Sequence, residues 1–101
     1  MAKANITPNY MHDIRRYIRI NHDRHDGEIT DLIEAARADL IREGILASKA
    51  QDESDPLIKR AVGCYVKAHF GLDNSDAERY DASYQSIKKH LALSKDYTKE
   101  A

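Results

Sequence analysis

The stretch from Asp55 to Ser94 most constrains what this chain can fold into, because it encodes two amphipathic helices with a turn between them. Asp55 is suited to cap the first helix, and Pro56 to occupy its first turn, where the missing N–H costs no hydrogen bond. Gly71 is expected to end that helix, since glycine readily adopts the left-handed conformation that follows many helices. The pattern predicts a helix over residues 56–70 with one apolar face, formed by Leu57, Ile58, Ala61, Val62, Tyr65 and Val66.

A second apolar stripe follows the turn, with successive spacings of three, four, three and four residues. Asn74 or Ser75 is expected to restart the helical conformation, and the stripe predicts a helix over residues 77–93. The tail from Ser94 onward is polar and is expected to be a loose end. The stripe consists of Ala77, Tyr80, Tyr84, Ile87 and Leu91.

The first half of the chain predicts a short helix. Residues 1–6 are expected to be loose, and Thr7 with Pro8 forms a signal for a helix start. The helix is expected to end near Arg19. Its inward side chains are predicted to be Met11, Ile14, Tyr17 and Ile18.

The strongest helical periodicity of the chain lies between Glu28 and Glu43. Asp26 is expected to cap this helix, and Gly44 is expected to end it. The connector that follows, residues 45–54, is expected to tuck its first two residues onto the core. The apolar positions of the helix are Ile29, Leu32, Ile33, Ala36, Leu40 and Ile41.

The composition suits a single small helical domain over residues 1–101. Of these residues, 42% are hydrophobic and 33% charged, so the chain can bury only a modest core. The formal net charge of −1 gives no bulk attraction to nucleic acid or to an anionic membrane, although a local basic patch is compatible with it. The predicted fold class is all-α, a small bundle of three longer helices with a short N-terminal helix packed across them.

No apolar run approaches the ~18 residues of a membrane span, and the N-terminal residues lack the apolar centre of a signal peptide. The protein is therefore expected to be made and kept in the cytoplasm, or assembled there. Cys64 is the one cysteine, which excludes an intramolecular disulfide and favours a small buried hydrophobe over a reactive thiol.

The polar loop that contains His22, Asp23, His25 and Asp26 is the first candidate for a metal site. A zinc or calcium site needs three or more converging ligands at suitable spacing, and this loop fits neither a zinc finger nor a calcium loop. No second cluster of ligands accompanies it. The sequence therefore favours a solvated loop before a helix and predicts no metal and no cofactor.

Nucleophilic chemistry has equally little support. Cys64 and His69 are five residues apart on one predicted helix and so point to different faces. Ser86 and His90 are i, i+4 neighbours, but no orienting acid accompanies them. Gly63 stands in mid-helix at a cost of about 1 kcal/mol relative to alanine, which the close approach of another helix would explain. That helix could belong to the same bundle or to another subunit, and the chain is predicted not to be an enzyme.

Basic and tyrosine residues give the candidates for an interface. Arginines cluster in the N-terminal third, and a Lys-Lys-His run near the end of the last long helix also suits the negative end of the helix dipole. Tyrosine combines apolar area with a polar tip, so it suits a core and a protein interface about equally. The predicted interface residues are Arg15, Arg16, Arg19, Tyr80, Tyr84, Lys88 and Lys89.

Three segments between Tyr17 and Tyr97 carry a family resemblance through their order, spacing and total length. They are YIRINHDRHDGEITDLIEAARADLI, with an Asp-rich loop and paired alanines, then DPLIKRAVGCYVKAHFG, and then NSDAERYDASYQSIKKHLALSKDY. Together they resemble the head–tail connector, or adaptor, proteins of tailed bacteriophages.

The resemblance implies a structural role in a virion. Such adaptors assemble as a ring of about twelve copies beneath the portal at a capsid vertex. The ring extends the DNA channel and docks a tail-completion protein. The implied partners are further copies of the chain, the portal protein, a tail-completion protein and, by non-specific contact, passing duplex DNA, with no membrane. The implied location is the capsid–tail junction after assembly in the host cytoplasm, with residues 93–101 contacting the portal.

Two other functions stay open at the level of sequence. A small helical DNA-binding regulator would insert one helix into the major groove. Both helix starts, DPLIKRA and SDAERYD, begin with acids that phosphates repel. A hydrolase using the His22–Asp26 loop would need a bound metal, so metal analysis tests that hypothesis.

Overall fold

The computed structural model describes residues 6–71 and 75–99, and all regular secondary structure in those ranges is helical. Four longer helices and two four-residue helices follow one another there, so the predicted all-α class is confirmed. Of the start that was expected to be loose, residues 1–6, the first five lie outside the described residues, as does a restart at Asn74, whereas Ile6 is half-buried against the core. In chain order the helices are α1 (Pro8–Tyr17), α2 (Asp26–Arg42), α3 (Ala47–Ala50), α4 (Pro56–His69), α5 (Ala77–Ala92) and α6 (Lys95–Thr98).

Helix α4 is the centre of the bundle, because it packs against α1, α2 and α5. Both predicted apolar stripes around the central turn contribute to one continuous core. Ile41, which the periodicity assigned to that core, is 37% exposed because it lies at the edge of the apolar face of α2. The large side chains that are fully buried are Ile14, Ile29, Ile33, Leu40, Ile45, Ile58, Val62, Val66, Tyr84 and Leu91.

Side-chain caps begin two of the helices as the sequence predicts. Thr7 Oγ1 accepts a hydrogen bond from the N–H of Tyr10 at 3.2 Å. Asp55 Oδ1 accepts from the N–H groups of Leu57 and Ile58 at 2.9 and 3.1 Å. Each cap satisfies donors that have no partner within their own helix, so Thr7 and Asp55 set the starts of α1 and α4.

Asp26 does not cap α2, contrary to the sequence-based expectation. The helix begins at Asp26 itself and follows His25 without a side-chain cap. The Asp26 carboxylate instead accepts two hydrogen bonds from the Arg15 guanidinium, at 2.8 and 2.5 Å. A bidentate charge-assisted pair is stronger than a cap, and the carboxylate still lies at the positive end of the α2 dipole. The pair fastens the end of α1 to the start of α2.

Helix α1 ends at Tyr17, two residues before the predicted end, because the chain turns there into a Schellman motif. Arg19 adopts a φ of 59°, the left-handed conformation that glycine usually provides at this position. Its N–H donates to the carbonyl of Arg16 at 3.2 Å, and the N–H of Ile20 donates to the carbonyl of Arg15 at 3.0 Å. The motif returns Ile20 to the core.

Gly44 ends α2 as predicted, with a φ of 106° and the same pattern of hydrogen bonds. Its N–H donates to the carbonyl of Ile41, and the N–H of Ile45 donates to the carbonyl of Leu40. Ile45 is buried, which confirms that the start of the connector tucks onto the core. The middle of the connector forms α3, a short helix that the sequence did not predict.

The tail after Ser94 is ordered as α6 and is not the loose end that its polarity suggested. Ser94 Oγ accepts a hydrogen bond from the N–H of Asp96 at 3.3 Å. The hydroxyl of Tyr97 donates to Asp55 Oδ2 at 2.8 Å, and its carbonyl accepts from the N–H of Leu46 at 2.9 Å. Because Asp55 also caps α4, α6 is bound to the junction between α3 and α4.

Gly63 allows α1 and α4 to approach closely within one subunit. A Cβ atom at this position would lie 2.7 Å from three ring carbons of Tyr17, well inside the ordinary contact distance. The mid-helix glycine is therefore explained by the aromatic ring that covers it. Of the two explanations that the sequence left open, the structure supports a contact inside the bundle.

Candidate interaction surface

Three of the predicted interface residues bind other parts of the same chain. Arg15 pairs with Asp26, as described above. Tyr84 is 1% exposed, and its hydroxyl donates to Asp39 Oδ2 at 2.6 Å. Lys88 Nζ donates to the same oxygen at 3.0 Å. Arg15, Tyr84 and Lys88 therefore have structural roles inside the subunit, and the buried Tyr84 offers no surface to a partner.

The cluster around Asp39 joins α5 to the second half of α2. Burial alone would raise the pKa of Asp39, but the hydrogen bonds from Tyr84 and Lys88 outweigh it and hold that pKa below its usual range. The pKa of Tyr84 is raised, first by burial and second by the anionic acceptor of its hydroxyl. Lys88 also lies 3.5 Å from the carboxylate of Glu43. These contacts stabilise the ionised form of Asp39.

The other four predicted residues are at least partly accessible. Arg16, Arg19 and Lys89 are exposed, and Tyr80 is half-buried. The guanidinium of Arg79 lies over the Tyr80 ring at 5.2 Å from its centroid. Arg16, Arg19, Tyr80 and Lys89 thus stay predictions for an interface.

An open groove of about 550 Å³ lies between residues of α1 and α4. Asp13, Arg16, Tyr17 and Lys59 line it. Lys59 Nζ lies 2.7 Å from Asp13 Oδ2, and this hydrogen bond lowers the pKa of the Asp13 carboxyl. Arg16 forms no close ion pair with a described residue, although its charge helps to lower the pKa of Asp13, and it is the cation that this groove offers to a partner.

A second groove, of about 460 Å³, lies on the other side of α4, against α5. Arg60 forms no ion pair within the described ranges, and Arg79 is 3.8 Å from Asp76, an exposed pair of little strength. The two grooves, called here the basic grooves, are lined by four cationic side chains and one carboxylate, although the whole chain has a net charge of −1. The second groove is lined by Arg60, Arg79, Ala82, Ser83, Ser86 and Ile87.

The outer face of α2 has the opposite charge. Glu28 and Asp31 are exposed and Glu34 is half-buried, and they follow one another at intervals of three residues. None of them forms an ion pair with another described residue, so like charges are adjacent along this acidic stripe. The stripe continues into exposed Ala38 and Ile41. The sequence analysis did not identify it, although the Glu-x-x-Asp-x-x-Glu spacing was a readable signal.

A buried cation lies in the second half of α2. Arg37 is 2% exposed, its guanidinium lies 5.3 Å from the centroid of the Tyr10 ring, and its Nη2 is 3.7 Å from Glu53. Glu53 also accepts hydrogen bonds from the N–H and the hydroxyl of Thr7. Burial raises the pKa of Tyr10 to about 12. The sequence missed Arg37, although its spacing from Ile33 and Leu40 puts it beside the core face.

The described residues provide little for catalysis or metal binding. Within residues 6–71 and 75–99, no group of three or more His, Cys, Asp or Glu side chains is placed to hold a metal ion. His22 and His25 have ring centroids 5.5 Å apart, and Asp26 of the same loop is bound to Arg15. Cys64 is buried, which raises the pKa of its thiol. In the part of the chain that is described, no helix has the length and apolar character to cross a membrane.

Comparison with known protein families identifies a match over most of the chain. The model of the family described as phage connector protein matches residues 11–98, which extend from the first half of α1 to the end of α6. No curated protein and no solved structure matches the chain. The matched range includes most of α1 and all of α2 to α6, and it contains both basic grooves and the acidic stripe.

Proposed function

The chain belongs to the phage connector protein family, and we propose on this basis that it is an adaptor subunit at the head–tail junction of a virion. In this proposal several copies form a ring beneath the portal. The ring extends the channel through which DNA passes, and it offers a docking surface to a tail-completion protein. The single observation that carries the proposal is the family match across residues 11–98.

The distribution of charge supports an assembly role. A ring requires two different surfaces on each subunit, because each copy meets its two neighbours through unlike faces. The chain has such a pair in the basic grooves beside α4 and the acidic stripe on α2. A protein of low net charge also suits a DNA channel, since strong neutralisation of phosphates would retain the genome.

The C-terminal segment is the part that we assign to the portal. Leu93 is 80% exposed, and it lines an open groove of about 360 Å³ together with Lys89 and Ala92. An exposed leucine of this kind is a suitable anchor for an apolar pocket on a partner. Because α6 is bound to Asp55 through Tyr97, the segment that offers Leu93 is held in one position before the portal arrives.

The contacts at the starts of α4 and α5 do not support the alternative function, a DNA-binding regulator. A recognition helix reads bases with side chains near its N-terminus. The start of α4 is occupied by Asp55 and by the α6 residue Tyr97. The start of α5 carries Asp76 and Glu78, which DNA phosphates would repel.

Native mass spectrometry over a range of concentrations, with and without the portal protein of the same phage, tests the proposal. We expect a discrete ring near twelve copies, formed either alone or on the portal. A protein that stays monomeric at high concentration and does not bind the portal would refute it. A Leu93→Ser variant should weaken portal binding, whereas the matched control Ala47→Ser, at an exposed position of α3 that no proposed contact uses, should not.

A further inference from the structure

The basic grooves and the acidic stripe are two complementary halves that one subunit cannot bring together. Arg60 lies about 200° round α4 from the buried Ile58, and Asp31 lies about 200° round α2 from the buried Ile29. Both therefore project from the solvent side of their helices. Because α2 and α4 pack through their buried faces, Arg60 and Asp31 point away from the contact between these two helices.

We propose that the acidic stripe of one copy, Glu28, Asp31 and Glu34, docks into the basic grooves of a second copy, against Arg16, Arg60 and Arg79. The inference rests on the proposed function and specifies which surfaces form the contact between neighbours. Such a contact is heterologous, since each copy uses one face toward one neighbour and the other face toward the next. Repetition of a heterologous contact gives a closed ring when its rotation closes.

Charge is the first argument for a second copy as the occupant. Carboxylates three residues apart on a helix repel one another. The stripe has two such pairs and no compensating cation among the described residues. Across the subunit, Arg60 forms no ion pair in the described part of the chain, and Arg16 shares the carboxylate of Asp13 with Lys59, which holds the hydrogen bond. Docking would place the carboxylates of the stripe beside these arginines. It would therefore reduce the repulsion within the stripe and give the arginines acidic partners.

Apolar surface is the second argument. The stripe continues into Ala38 and Ile41, and the grooves contain Tyr17 and Ile87, both half-buried. The exposed run from Glu28 to Ile41 is about 20 Å long, which suits a helix lying along a groove. An interface of this kind has an apolar part that excludes water and a charged part that fixes register.

Two charge-reversed variants test the pairing. The first is Arg60→Glu with Arg79→Glu, and the second is Glu28→Lys with Asp31→Lys. Each variant alone should weaken self-association on the order of 100-fold, because like charges then meet across the contact. An equimolar mixture of the two should assemble again, since every contact in the mixture is complementary. The matched control, Arg24→Glu with Lys49→Glu, changes the same charges outside the two proposed surfaces and should assemble like the unaltered protein.

The readout is native mass spectrometry with sedimentation velocity, after circular dichroism has established that each variant folds. If a reversal variant does not fold, the neutral pairs Arg60→Gln with Arg79→Gln and Glu28→Gln with Asp31→Asn replace it, with a smaller loss expected. The association should also weaken as salt rises from low concentration, because screening acts on partly exposed charges.

The outcomes separate this inference from the proposed function. If the unaltered protein assembles and either reversal assembles equally well, the pairing is wrong but the adaptor role stands. If both reversals fail alone and the mixture also fails, the two surfaces do not meet each other. If reversal of Arg60 and Arg79 abolishes binding to duplex DNA and leaves assembly intact, the grooves serve nucleic acid. If the unaltered protein neither assembles nor binds the portal, the proposed function itself fails.

Discussion

Replacement of Gly63 by alanine should destabilise the protein, although helix propensity alone predicts the reverse. In the middle of a helix, alanine is favoured over glycine by about 1 kcal/mol. The structure opposes this gain, because the new Cβ would lie 2.7 Å from the Cδ1, Cδ2 and Cε1 atoms of Tyr17. Carbon atoms in good contact are 3.5–4.0 Å apart, so the ring would have to move by about 1 Å.

The magnitude follows from setting these two effects against each other. Overpacking of this kind costs typically about 1–3 kcal/mol. After subtraction of the propensity gain, the net loss should be about 1 kcal/mol, or about 5 °C in Tm for a domain of this size. The loss depends on Tyr17, so it should change sign when the ring is removed. In a Tyr17→Ala background, Gly63→Ala should stabilise by about 1 kcal/mol.

Urea unfolding of the four proteins in this cycle, at one low protein concentration, measures the coupling, which should be about 2 kcal/mol. Gly27→Ala is the matched control, because Gly27 also lies in a helix and a Cβ there would meet nothing within 4 Å. That control should be neutral or stabilising. If Gly63→Ala stabilises the unaltered protein as much as the control does, Tyr17 does not cover α4 in the way described.

Three further predictions concern helix ends and ionisable groups. Arg19→Gly, just beyond the end of α1, should stabilise the protein by about 0.5–1 kcal/mol, since glycine adopts the left-handed conformation without strain. Arg16→Gly, inside α1, should destabilise it by about 1 kcal/mol, and thermal melts compare the two. Tyr84→Phe should cost about 1–2 kcal/mol in urea unfolding, because the hydroxyl donates to the ionised Asp39, and an unchanged midpoint would contradict a net benefit from that bond. The pKa values of Asp39 and Asp26 are lower in the folded protein than in the unfolded chain. The stability that these groups provide is therefore present above their unfolded pKa, near 4, and is lost as the pH falls further. Asp39→Asn should flatten the acid side of a curve of Tm against pH.

Most of the helices could be predicted from the sequence, because local interactions determine them. Thr7, Asp55 and Gly44 act on the backbone within a few residues of themselves, so their effect does not depend on the rest of the fold. The apolar stripes were readable for the same reason, since a helix repeats every 3.6 residues wherever it is packed. The sequence could not show that Arg19 would take the left-handed position usually held by glycine, because that strain is compensated by the burial of Ile20.

The roles of the charged and aromatic side chains were decided by tertiary structure. Tyr84 and Asp39 are 45 positions apart in the chain, and Lys59 and Asp13 are 46 apart. No local pattern relates such residues, and only the packing of α5 on α2 and of α4 on α1 brings them together.

The same limit explains the errors in the candidate interface and in the tail. Arg15 and Tyr84 were assigned to an interface by residue type, whereas the fold uses both inside the subunit. The polarity of the tail concealed that Tyr97 would meet the carboxylate of Asp55. By itself the sequence determined the four longer helices and roughly where they begin and end, but not the short helices α3 and α6. The tertiary structure determined which polar groups pair within the subunit and which remain on its surface, because pairing depends on distances that exist only after the helices pack.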